Sequence, residues 1–191
     1  MTDIINHQHY WEYFLAIEDD LVKTSRFVDF STDNYPTYSI EFAKIILSSA
    51  SEFDVIAKLI CNKISPNKKA GNINDYREII INEYPKFPTM EINLTRYGIK
   101  LKPWASWEND SNPSWWTSYN NVKHERNKFY HEATLGNALQ SSAGLLCGLL
   151  YLFRNTFGQI RLEPGTQLFE SRNSTILASG LICWDFKLPD D

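Results

Sequence analysis

At 191 residues the chain has the length of one compact domain, and its 43% hydrophobic and 22% charged residues exclude a disordered or fibrous class. Acidic residues number 23 against 19 basic ones, a formal charge of −4. Nonspecific nucleic-acid binding is mostly phosphate neutralisation, so this balance excludes a broad basic binding face and leaves room for a small, local one.

From residue 10 to 28, Tyr10, Phe14, Ile17, Leu21 and Val22 recur at helical spacing, with Glu12, Glu18 and Asp19 on the opposite, polar side. Asn34-Tyr35-Pro36 interrupts the pattern, because proline disfavours helix in the residue before it. A longer helix is predicted over 39–64, its stripe made of Phe42, Ile45, Ile46, Ser49, Phe53, Ile56, Leu59 and Ile60, and Ser65-Pro66-Asn67 stops it. A short third helix follows over 73–84.

Met90, Ile92 and Leu94 alternate with polar residues, as do Ile99 and Leu101 beyond Tyr97-Gly98, which predicts a β-hairpin inserted at about 88–103. Asn112-Pro113 reads as the start of a fourth helix, with asparagine as the cap and proline in the first turn. The last long helix is predicted over 134–156 and is apolar most of the way round, as a helix central in a bundle or shared between subunits would be. Gly136, Gly144 and Gly148 would let a neighbour approach it closely.

After Gly158 short strand-like pieces, at 159–162, 167–169, 175–177 and 181–186, are separated by Pro, Gly, Asn and Ser. The expected organisation is therefore a mainly α domain over 1–158 and a short β-rich extension over 159–191 packed on it, its strands available to the earlier hairpin. The N-terminus has no basic region followed by an apolar one, and the most apolar window, 143–153, is shorter than the roughly 20 residues of a membrane span. A cytoplasmic protein without membrane contact is expected. Cys61, Cys147 and Cys183 lie far apart among apolar neighbours with no CxxC pair, so buried thiols fit better than zinc or disulfides.

Residues 123–131 read Lys-His-Glu-Arg-Asn-Lys-Phe-Tyr-His and precede the last helix. On an unbroken helix His124, Asn127 and His131 share one face, and Tyr119, Val122 and Arg126 a neighbouring one, so Arg126 and His131 diverge unless the helix bends or ends between them. An imidazole titrating near neutrality can deprotonate a ribose 2′-hydroxyl, and a guanidinium can hold the charge growing on the phosphate. Glu52, close to the second helix's stripe, needs a partner, for which Arg126 or His124 is the candidate. Trp104, Trp107, Trp115 and Trp116 would be core by their spacing or base-stacking platforms by their chemistry. His7 and His9 lack further ligands at metal-site spacing.

Arg126-Asn127 with His131 resembles the arginine, polar residue, three residues, histidine motif of the HEPN superfamily, and it stands just before the final long helix as that motif does. The resemblance implies a small up-and-down helical bundle and a metal-independent ribonuclease of a toxin–antitoxin, abortive-infection or CRISPR system, with no cofactor. It further implies His131 as base or acid, Arg126 as the phosphate-stabilising group and Asn127 as the residue orienting them. A homodimer with two motifs facing one cleft, an RNA substrate and an antitoxin or defence partner protein follow from it as well. A second alignment, on the run from Trp115 to Arg126, is similar to HEPN-like chains whose characteristic polar group would here be Tyr119, Asn120, Lys123, His124 and Arg126. The alternative to an enzyme is a non-catalytic HEPN-like module binding a protein partner or nucleotide, or serving dimerisation.

Overall fold

A computed structural model describes residues 7–154, 162–171, 175–176, 182–183 and 188. The described chain is mainly α: helices α1 (His7–Thr24), α2 (Ile40–Ile64), α3 (Ile73–Glu83), α4 (Ser114–Phe129) and α5 (Leu135–Phe153) carry two short antiparallel sheets. Strands β1 (Ile92–Leu94) and β2 (Ile99–Leu101) form the expected hairpin, with Ile92 opposite Leu101 and Leu94 opposite Ile99. Its turn closes through Gly98 at φ +64, a conformation that costs a residue with a Cβ.

The extension joins the hairpin: β3 (Glu170–Ser171) pairs antiparallel with β1, while β4 (Thr175–Ile176) and β5 (Ile182–Cys183) pair with each other. The strand expected at 167–169 is displaced to 170–171, because the amides of Gln167, Leu168 and Phe169 bond to a side chain instead of a neighbouring strand. The expectations for 155–156, 159–161, 177, 181 and 184–186 lie outside the described residues.

That side chain is Glu18, and it corrects the reading of α1. Glu18 was expected on the polar side, yet it is 0% exposed and its carboxylate accepts all three amides, at 2.9, 2.9 and 3.1 Å. Burial pushes its carboxyl above the ordinary value, the three backbone donors act against that, and Asp19 adds to it. Trp11, on the same helix, donates its indole N–H to Pro164 O at 2.8 Å. The 162–171 segment is thus bolted to α1 by polar atoms as well as by the Phe14–Phe169 ring contact.

Helix starts follow local chemistry where a capping side chain is present. Ser39, Asn72 and Thr134 each accept an amide of the first turn of α2, α3 and α5. The start of α4 corrects the expectation: Pro113 itself is the cap residue, no side chain caps it, and Asn112 lies outside.

At the centre, α5 packs along α2 and is buried almost throughout from Leu135 to Phe153. Among the described residues this is the one helix long and apolar enough to cross a membrane, and most of it is buried inside the protein. Helices α2 and α5 run side by side in the same direction. Tyr38 bridges Thr134 just before both, Ser49 Oγ meets Ser142 Oγ at 3.1 Å, Gly148 faces Phe53 and Ile56, and Lys63 Nζ reaches Leu152 O.

The four tryptophans are core, which removes the base-stacking reading. Trp104 stands at their middle, with ring centroids 4.3 Å from Phe53 and Trp107, 5.0 Å from Trp115 and 5.7 Å from Phe87. Its N–H donates to Gly144 O at 3.2 Å. A Cβ on Gly144 would stand 2.9 Å from Trp115 Cζ2, and Trp115 is itself fixed by its N–H on Pro103 O. Gly144→Ala should therefore lower stability by about 1–3 kcal/mol in a urea titration, although alanine is the better helix former.

Cys61 and Cys147 are buried and free, with burial pushing the Cys61 thiol up to about 12 and the Cys147 thiol higher still. Both are poor nucleophiles at neutral pH.

Candidate functional site

The end of α4 is not one straight helix. Glu125 leaves helical geometry at φ −136 and ψ 46, so Arg126 onward starts a new direction, and a 3₁₀ turn over Tyr130–Glu132 leads to Thr134 and α5. The shared helical face expected for His124, Asn127 and His131 does not exist, because the kink and the turn both fall within it.

The junction is held by residues that the motif does not include. Asn121 donates to both carboxylate oxygens of Glu132 at 3.2 and 3.0 Å. Asn137 donates to Ser118 Oγ at 3.1 Å and to Glu132 O at 2.9 Å, while Thr134 caps α5. Backbone bonds Ser39 N to Ala133 O and Leu135 N to Thr37 O tie the same turn to the start of α2.

Arg126, Asn127 and His131 are exposed, and among the described residues none of their side chains has a hydrogen bond or ion pair. Arg126 and Asn127, with Tyr130, form one side of an open groove of about 550 Å³. Ile40, Ala43, Lys44 and Leu47 of α2 form the other. His131 is not among the groove's lining; its ring lies near that of Phe129, at 6.5 Å between centroids. Tyr130 is held edge-on by Tyr38 at 5.5 Å, and Tyr38 is itself half exposed beside the groove.

The second candidate set does not assemble. Tyr119 is buried and accepts a bond from Lys123 Nζ at 3.1 Å, with the ammonium 5.2 Å from the ring centre. Asn120 donates back to Trp116 O of its own helix at 2.9 Å. His124 is exposed and bonds to neither. Lys123, Tyr119 and Asn120 are thus occupied within α4, and only Arg126 belongs to both sets as an unoccupied group.

Glu52 also departs from expectation. It is half-buried, burial raises its carboxyl above the ordinary value, and among the described residues neither Arg126 nor His124 nor any other cation pairs with it. Among the described residues no cluster of three His, Cys, Asp or Glu side chains is placed to hold a metal ion.

The groove's α2 wall was missed in the sequence. Ile40, Lys44 and Leu47 lie off the stripe of Phe42, Ile45 and Ile46, so they read as the solvated side. Two apolar residues on that side, seven apart and hence on one line of the helix, were the available signal. No family model matches the chain, and neither does any curated protein or solved structure.

Proposed function

We propose that this chain is a HEPN-like, metal-independent endoribonuclease of a prokaryotic defence or toxin system, acting as a homodimer on RNA. The observation that carries the reading is the division of labour at the α4–α5 junction. Asn121, Glu132, Asn137 and Thr134 do the structural work, so Arg126, Asn127 and His131 are not needed as a polar collar and face solvent unoccupied.

In the proposed reaction His131 removes the proton of a ribose 2′-hydroxyl, and that oxygen attacks the adjacent phosphorus. The 5′-oxygen leaves with a proton, giving a 2′,3′-cyclic phosphate and a 5′-hydroxyl end. Arg126 stabilises the charge on the phosphoryl oxygens during the displacement, and Asn127 orients the group it touches. His131 lies outside the groove that Arg126 lines, so the pair would come together on RNA bound across the end of the groove, with a second copy supplying the opposing motif.

The test is incubation of RNA with the purified protein in EDTA, followed by analysis of the fragment ends. Wild type should yield cyclic-phosphate ends, and Arg126→Ala and His131→Ala should each lower the rate by about 10²–10⁴-fold. Unchanged cleavage in both variants overturns the assignment. Loss in His124→Ala with retention in His131→Ala moves the role to the other histidine.

The apolar wall of Ile40, Ala43 and Leu47 favours a second reading, in which the same face is a non-catalytic docking module. Absence of cyclic-phosphate ends from wild type, together with binding of a protein partner, would select it.

A further inference from the structure

We infer that the groove between α2 and the end of α4 seats one unpaired nucleotide, its base laid on Ile40, Leu47 and Tyr130 and its phosphate held by Arg126 and Lys44. The inference rests on the proposed reaction for the role of Arg126, and it adds a substrate class to that reaction: single-stranded RNA, read at one base beside the phosphate.

The groove is cationic in an acidic chain. Arg126 and Lys44 both line it, and among its described lining residues there is no carboxylate, although acidic residues outnumber basic ones by 23 to 19. The Arg126 side chain makes no hydrogen bond or ion pair among the described residues. Lys44 bonds to Glu41 at 2.8 Å, one turn away and open to solvent, and pairs of that kind hold weakly and exchange readily. Both cations can therefore turn to an anion arriving from solvent, and a guanidinium with an ammonium beside it suits a phosphate. Ile40 opens α2, so the partial positive charge of that helix start has the same sign.

The rest of the groove suits a flat, apolar body. Ile40 is 64% exposed, and Leu47 lies half-buried seven residues on, along the same line of the helix. Facing them is Tyr130, partly buried, whose ring meets that of Tyr38 at 85° with centroids 5.5 Å apart, so its plane is set before any ligand arrives. Bases stack on such rings whatever their identity. Asn127 lines the groove with a side chain that is unbonded among the described residues, and its amide carries both donors and an acceptor, as reading a base edge requires.

This combination selects a nucleotide over other anions with an apolar body. At about 550 Å³ the groove falls in the ordinary range of small-molecule clefts, roughly 300–1,000 Å³. An alkyl carboxylate would use the cations and the α2 wall and leave the Tyr130 plane and the Asn127 amide without a task. A base within a duplex has its edge paired and its faces stacked, so only an unpaired one can enter.

The experiment is calorimetric titration of the purified chain with the four nucleoside 5′-monophosphates, up to about 10 mM. The matching nucleosides, ribose 5-phosphate and decanoate are titrated alongside. None of these probes has a phosphodiester to cut, so binding is read apart from cleavage. At least one monophosphate should bind, with its nucleoside and ribose 5-phosphate each about tenfold or more weaker. Leu47→Glu, which puts a carboxylate on the groove wall, should weaken that monophosphate about tenfold or more with helix content unchanged by circular dichroism. Lys44→Ala should weaken the monophosphate and leave the nucleoside within about twofold, and Asn127→Ala should narrow the spread of affinities among the four bases.

No binding by any of the four monophosphates would overturn the inference. So would ribose 5-phosphate or decanoate binding as tightly as the best of them, or Leu47→Glu binding it unchanged. RNA cleavage is assayed separately: monophosphate binding without cleavage keeps the nucleotide seat and removes the nuclease, and cleavage without monophosphate binding does the reverse.

Discussion

Glu18→Ala is expected to lower the unfolding free energy by about 3–5 kcal/mol, read as the urea midpoint at constant slope. The change takes the acceptor from the amides of Gln167, Leu168 and Phe169, of which the last two are buried. Hydrogen exchange at these three amides should accelerate more than elsewhere, because the bolt between α1 and the 162–171 segment is what protects them. Glu18→Gln keeps the volume, but turns an acceptor into an NH₂ donor facing at least one of the amides, and should fall between wild type and alanine.

The same residue sets a slope with pH. Its folded-state carboxyl is raised, chiefly by burial, so the folded protein holds the proton more tightly than the unfolded chain does. The stability linked to that proton is fully present below the ordinary carboxylate value and is lost as pH rises through the raised one. Stability of wild type relative to Glu18→Gln should therefore increase as pH falls across that window, and a difference independent of pH would contradict the assignment.

Trp104→Ala should cost about 3–5 kcal/mol, and Trp104→Phe clearly less, in the same titration. Alanine empties the space between Phe53, Phe87, Trp107 and Trp115 and removes the donor to Gly144 O. Phenylalanine keeps part of the ring contact and loses only the hydrogen bond and the outer ring. Trp104 ties the segment after the hairpin to both α2 and α5, so near-ultraviolet circular dichroism should report loss of the aromatic cluster's fixed environment along with the stability.

The helices were legible because each leaves a local trace. Phe42, Ile45, Ile46 and Phe53 mark the buried side of α2, and Ser39 and Thr134 cap α2 and α5 at the predicted edges. The hairpin was legible for the same reason, since Ile92 and Leu94 alternate against Ile99 and Leu101 and Gly98 permits the turn. Glu18 was not, because nothing around it in the sequence shows that a segment about 150 residues later will deliver three amides to it. Burial of a charge is decided by distant chain, while periodicity reports only near neighbours.

The candidate site was legible in position but not in shape. Arg126, Asn127 and His131 were singled out by the motif they resemble, and they do stand at the helix junction ahead of α5. The break at Glu125 has no proline or glycine to announce it, so the faces drawn on an ideal helix did not survive. The partners expected for Glu52 failed for a related reason: a helical wheel shows which side a residue occupies, not what the neighbouring helix brings to that side.

The common direction of α2 and α5 has an electrostatic consequence. Neighbouring antiparallel helices largely cancel each other's axial field, whereas these two begin together, at Tyr38 and Thr134, and their aligned peptide dipoles add. Each N-terminus carries the equivalent of about half a positive charge. Both therefore sit at the end of the molecule that bears Arg126 and His131, the first beside the groove and the second three residues past the histidine. The C-terminus of α4 and the Glu132 carboxylate stand at the same junction and offset part of this, so the field left at this end is set by the balance of the two starts against that one end, and its reach shrinks as salt is added.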